Sequence, residues 1–283
     1  MHATLSIAGF EIVSHHLFLV LTVCVCFALG PWLGRRLEGI PSSRTLAVYG
    51  WVGIAVFAGA RLHFVWNAWG FAGYSANLLL VLRFWEGIHA GGAIAALVLA
   101  TPLVLRVYRV PLASFADAMA PTVGLGVAIA RVGCFLNGCC FGAVCAAPWC
   151  LAFPAGSPPH ALHSAAGWVA AHDPWSIAVH PLQLYFAAGG LAAVTASALL
   201  YPHRRYAGQV ALVALVVLLS ATTLAELFRA DNYPASYAWA GRPQFFWIAL
   251  LLTALASAAL AVAEWRNRRA RARAAFPLVS PSR

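Results

Sequence analysis

The chain contains no lysine. Its 18 basic side chains are all arginines, opposed by only eight aspartates and glutamates, for a formal net charge of +10. Charged residues amount to 9% and hydrophobic ones to 62%. A soluble domain carries about 25% charge, so an ordinary water-facing surface is excluded. Cys-x-x-Cys pairs and zinc-type histidine spacing are missing too, and neither a metal nor another cofactor is read from the sequence. No basic segment precedes the first apolar run, where Glu11, His15 and His16 stand instead, so no removable signal peptide is expected. No internal repeat is apparent, which argues against a transporter of two inverted halves.

What is present is a series of apolar runs long enough to cross a bilayer. Seven can be placed, at about 15–34, 46–66, 88–105, 118–141, 182–200, 208–228 and 244–265. The arginines punctuate them: Arg35, Arg36 and Arg44, then Arg106 and Arg109, then Arg204 and Arg205, then Arg266 through Arg283. They occupy alternate loops, the positive-inside pattern, which argues for a lipid setting and against nucleic acid as partner. The expected fold is therefore an all-α integral membrane protein of seven transmembrane helices, N-terminus outside and C-terminus cytoplasmic. Residues 1–265 form the membrane domain and 266–283 a basic cytoplasmic tail able to touch anionic headgroups. The outer face receives the loops 67–84, 143–181 and 229–243; the second, with FPAGSPPHALHSAAG, is too polar to span.

Strong polar residues gather at the outer ends of these runs: Arg61, Glu86, His89, Arg131, Asn137, His180, Gln183, Glu226 and Arg229. An ionisable group at membrane depth marks a substrate path by default. The segment RVGCFLNGCCFG, Arg131 to Gly142, places an arginine before an Asn-Gly turn signal, so the helix is expected to break there. Broken backbone at that depth survives where protein or a watery cavity satisfies it. Arginine forks suit phosphate, and histidine takes up a proton near neutral pH. Plainer readings stand beside these. Glu226 and Arg229, three apart, can be an ion pair; Gly91 and Gly92 can be helix packing; Arg61 can reach for headgroups; His180 can cap the next helix. Of the seven cysteines, Cys24 and Cys26 read as filling, and a structural disulfide or inert thiols among Cys134, Cys139, Cys140, Cys145 and Cys150 outweigh a redox centre.

The residues then resemble a family, the bacterial prolipoprotein diacylglyceryl transferases. SFADAMAPTVGLGVAIARVGCFLNGCCFG, Ser114 to Gly142, resembles the stretch from a D-x-x-A-P helix start to G-x-G-x-x-x-x-R-x-G-N-F-x-N-G-E-x-W-G. HPLQLY, ending at Tyr185, resembles H-P-x-Q-L-Y-E; ELFRADN, starting at Glu226, resembles E-F-F-R-x-P-D; GARLHFV, WEGIHAGG and FPAGS resemble further pieces in the same order. The resemblance implies a bacterial inner-membrane, multi-pass transferase without cofactor, whose partners are phosphatidylglycerol, the preprolipoprotein signal peptide and the bilayer. A lipobox cysteine thiol takes the diacylglyceryl group and glycerol phosphate leaves. It implies Arg131, Arg229, His180 and His89 as catalytic residues, and Arg61, Glu86, Asn137, Gly142, Gln183, Tyr185 and Glu226 as substrate-binding ones. Four positions depart from the pattern: Cys134 stands for an Asn, Cys139 for the Glu, Ala90 for the histidine before Gly-Gly, and Leu17 for a tyrosine. The phosphate-binding half is thus kept and the proton-handling half altered. A related transferase using another acceptor, and a lipid-binding protein without catalysis, are the competing readings.

Overall fold

The computed structural model describes residues 4–7, 10–76, 87, 89–229, 238–239 and 242–275. Its elements follow one another as a short hairpin of β1 (Thr4–Ile7) and β2 (Phe10–Val13), then α1 (Ser14–Glu38), α2 (Ser42–Ala76), α3 (Ala90–Val107) and α4 (Leu112–Asn137). A two-turn helix α5 (Pro158–Ala165) lies in the long loop, followed by α6 (Leu182–Leu200), α7 (Gln209–Glu226), a second hairpin of β3 (Ala238–Trp239) and β4 (Arg242–Pro243), and α8 (Gln244–Ala275). Six of these helices are long and apolar enough to cross a membrane. The apolar part of α3, Gly91–Val107, is shorter. Each of the seven expected runs coincides in the main with one of these helices. The expected boundaries shift: α2 continues to Ala76, so Arg61 lies well within the helix instead of at its end, and α4 begins at Leu112, earlier than expected. The basic segment from Arg266 continues α8 as helix as far as Ala275. The hairpins and α5 were not foreseen; elements this short carry too few residues for a periodic signal.

The chain packs as two compact units, one of Met1–Cys26 with Met119–Arg283, the other of Phe27–Ala118. In the second unit α2 and α3 are brought together by glycines. A Cβ on Gly92 would strike the Gly59 carbonyl, and one on Gly59 would meet the Gly92 carbonyl at 2.6 Å, so the two backbones touch as small residues allow in membrane helices. In the first unit Gly124 and Gly190 do the same for α4 and α6: a Cβ on Gly124 would lie 2.7 Å from the Gly190 carbonyl oxygen. Within the 143–181 loop, isolated bridges join Val144 and Leu151 to Val179 and Pro154 to Trp175. Cys145 and Cys150 form a disulfide, and Phe153 and Val179 are fully buried beside Phe141. That loop is ordered by its own small core.

Candidate functional site

The Asn-Gly pair ends α4 as its chemistry requires. Gly138 takes φ +76°, the left-handed conformation that glycine adopts without a Cβ penalty. Its N–H donates to the Phe135 carbonyl at 3.1 Å, and that of Cys139 to the Cys134 carbonyl at 3.2 Å. This pair of bonds is the glycine-terminated helix end described for left-handed caps, and it folds Cys139 and Cys140 back over the last helical turn. The chain then meets two others. The Gly142 N–H donates to the His180 carbonyl at 3.0 Å, the Ala143 N–H to Phe228 at 2.8 Å, and the His180 N–H to Ala143 at 3.0 Å. Gly142 must be glycine here: a Cβ would lie 2.6 Å from the Phe228 carbonyl oxygen and 2.7 Å from the His180 Cβ. Gln183, fully buried, donates through Nε2 to the Cys139 carbonyl at 2.6 Å. Its Oε1 has no hydrogen-bond partner among the described residues.

This knot of α4, α6 and α7 ends gathers the charged groups. The Arg131 guanidinium carbon lies 4.3 Å from the centre of the Phe186 ring, and that of Arg229 lies 5.8 Å from the same ring. Glu226, 4% exposed, accepts both Nε–H and NH2 donors of Arg229 in a two-point pair, as the i, i+3 spacing allowed. Two guanidinium groups against one carboxylate leave the cluster cationic, which suits an anion such as a phosphate diester. His180 Nδ1 and the Tyr185 hydroxyl are 3.0 Å apart, and the imidazole lies 4.6 Å from the Phe228 ring. Burial holds His180 below the usual histidine range, so it stays neutral and able to accept a proton. It also lies beside the Cys145–Cys150 disulfide.

The remaining expected site residues belong to the other unit or lie outside the described residues. Arg61, 1% exposed, donates to the Gly87 carbonyl at 2.8 Å and stacks 5.1 Å from the Phe64 ring. It also lines a cavity of about 590 Å³ walled by Phe27, Tyr49, Ile54 and Phe57. His89 caps α3: its Nδ1 accepts the Gly91 N–H at 3.2 Å, and its ring meets His63 edge-on at 4.2 Å. The adjacent Gly92 serves helix packing, the plainer of its two readings. Glu86 lies outside the described residues.

The prolipoprotein diacylglyceryl transferase family matches residues 2–264. The chain belongs to that family. It is 34% identical over 150 residues to a phosphatidylglycerol–prolipoprotein diacylglyceryl transferase of Thermosynechococcus vestitus, an alignment covering 51% of this chain and 55% of that one. The enzyme of that name from Rhodopirellula baltica is 30% identical over 164 residues, 54% of this chain and 32% of its own. That from Neisseria meningitidis is 33% identical over 174 residues, 57% and 59%. The chain thus spans about half the length of the curated relatives it matches, or less. Family membership and the apolar helices make it a multi-pass membrane protein.

Two features of this family member escaped the sequence reading. Phe186 gave no sign of being the ring shared by two arginines, because an aromatic within an apolar run reads as packing. His15 was noted only as preceding the first apolar run, yet its Nδ1 lies 3.8 Å from the Cys134 sulfur; a partner 119 residues away leaves no local pattern.

Proposed function

We propose that this protein transfers the diacylglyceryl group of phosphatidylglycerol to the lipobox cysteine thiol of a preprolipoprotein, in the bacterial inner membrane. The observation that carries the reading is the convergence of Arg131 and Arg229 on one aromatic ring, with the half-buried, neutral His180 in the same knot of helix ends. In the reaction the acceptor sulfur attacks the glyceryl carbon, the carbon–oxygen bond to phosphate breaks, and glycerol phosphate leaves. The phosphate gains a negative charge as that bond breaks, and charge-assisted donors fixed where charge develops lower the barrier. Arg131 and Arg229 supply those donors. Glu226 holds Arg229 in place, and His180, oriented by Tyr185, receives the thiol proton. Asn137, Gly142 and Gln183 shape the cradle. In the other unit Arg61 anchors the fold, Glu86 and His89 remain substrate-contact candidates, and the wall of Phe27, Ile54 and Phe57 suits an acyl chain. Seven helices span the membrane, the N-terminus lies outside and the arginine-rich tail from Arg266 inside. The membrane domain is 1–265 and the tail 266–283.

The test is complementation of a bacterium depleted of its own diacylglyceryl transferase, paired with transfer from phosphatidylglycerol to a lipobox peptide by the purified protein. Growth and a thioether-linked product support the reading; lipid binding without product points to a scaffold. The substitutions Cys134, Cys139 and Ala90 favour a second reading, the same donor with a different acceptor. Consumption of phosphatidylglycerol with the lipobox peptide unmodified is its signature.

A further inference from the structure

We propose that His15, Cys134 and Cys139 form a site for one soft d10 cation, Zn²⁺ or Cu⁺. The ligating atoms of His15, Cys134 and Cys139 lie within 4.8 Å of one another, with the Cys134 sulfur 3.8 Å from His15 Nδ1. Zinc bonds of about 2.3 Å to sulfur and about 2.0 Å to nitrogen put neighbouring tetrahedral ligands roughly 3.5 to 3.8 Å apart. The cluster therefore needs to contract by about an ångström at most. Thiolate and imidazole, the groups this cluster offers, are also the donors that soft and borderline cations prefer.

The backbone around the cluster serves it. The left-handed Gly138 ends α4 and returns Cys139 toward Cys134, whose carbonyl accepts the Cys139 N–H. The next residue, Cys140, takes φ +58°, a conformation uncommon for a residue with a Cβ, and held only where the surroundings require it. From the other side, Gly133 admits α1: a Cβ there would meet Phe18 at 2.5 Å and the His15 Cα at 3.6 Å. A second observation bears on the state of these thiols. Cys145 and Cys150, only a few residues further on, are joined, whereas Cys134 and Cys139 are free with their sulfurs within 4.8 Å of each other. In a compartment that oxidises one nearby pair, neighbouring thiols stay separate when a cation holds them as thiolates. The bound ion pins the start of α1 to the end of α4.

The purified full-length protein, in detergent and with its thiols kept reduced, is loaded with Zn²⁺ in one arm and Cu⁺ in the other, and metal and protein are measured after gel filtration. Roughly one equivalent per chain is expected in at least one arm. That value falls roughly ten-fold or more in Cys134→Ser, Cys139→Ser and His15→Ala, and holds in Cys24→Ala. Because His15→Ala could unfold the chain, Co²⁺ is also added to the unaltered protein, where a thiolate-to-cobalt charge-transfer band is expected. Stoichiometric metal that the cluster variants retain overturns the proposal. So do absence of metal in all arms and a Cys134–Cys139 or Cys139–Cys140 disulfide found by peptide mass in freshly isolated protein. None of these readouts depends on the transfer reaction, so the site stands or falls apart from the proposed activity.

Discussion

The chain places an arginine in each of two very different pockets. Arg61, in the middle of α2, is 1% exposed; its guanidinium is spent on the Gly87 carbonyl and the Phe64 ring. Arg131 rests on the Phe186 face and has no hydrogen bond or ion pair among the described residues. Arg229, on the same ring, is gripped by a carboxylate that a competing anion can rival. A guanidinium bonded to backbone secures a fold, because removing it strands a buried carbonyl. One resting on a ring keeps its fork for a ligand. Residue type is shared between the two regions; the partner decides the role.

The largest effects should separate those roles. Arg131→Ala should lower transfer by about 10²–10³-fold, the range seen when one charge-stabilising donor is removed, while leaving the thermal midpoint in detergent nearly unchanged. Arg131→Lys should also be impaired, since a point charge does not reproduce a two-point fork. Arg229→Ala should act similarly and leave Glu226 without its cation. Full activity in both alanine variants would sink the clamp. Gly142→Ala comes next. Its Cβ has nowhere to go between Phe228 and His180, so about 1–3 kcal/mol of stability is expected to be lost. Gly53→Ala, with nothing within 4 Å of the new Cβ, should unfold as the parent does. Arg61→Met mirrors the first test: stability should drop by about 1–3 kcal/mol for the unpaired Gly87 carbonyl, and the folded fraction should lose less activity than Arg131→Ala.

How much of this was legible in the sequence follows from the range of each interaction. The apolar runs and the break at Asn137-Gly138 were visible, because hydrophobic length and turn chemistry act over a few residues. The Glu226–Arg229 pair was visible too, since three residues along a helix place two side chains together. His180 and Tyr185 could be named through a short motif but not joined. The contact of His15 with Cys134 left no trace, as it depends on Gly133 admitting α1. The capping use of His89 was not legible, because histidine is an uncommon N-cap residue and its role depends on where α3 begins.

Acidity offers a smaller and more selective break. Burial lowers the His180 pKa, and burial followed by the neighbouring His160 lowers that of His163. The unfolded chain then binds more protons than the folded one below the ordinary value of 6.5. The stability due to these two groups is fully present above that value and drains away as the pH falls through their lowered folded values. If His180 is the proton acceptor, the acid limb of the rate should fall on the acid side of 6.5, and His180→Gln should flatten it. A limb on the alkaline side would point to another base.

The finest test concerns a single hydroxyl. Tyr185 stands 3.0 Å from His180 Nδ1, and its ring packs against Phe228, which also lies against His180. Tyr185→Phe keeps the ring and removes only the hydrogen bond, so the net loss should be about 0.5–1.5 kcal/mol. On the rate that is roughly two- to ten-fold. Orientation and lipid binding predict different signatures for it. If the hydroxyl orients the imidazole, kcat should fall with KM for phosphatidylglycerol unchanged, and the acid limb should shift, because the partner that biases the imidazole proton is gone. If it instead touches the lipid, KM should rise and the pH profile stay where it was. In either case the effect should vanish in the His180→Gln background only when the hydroxyl works through the histidine.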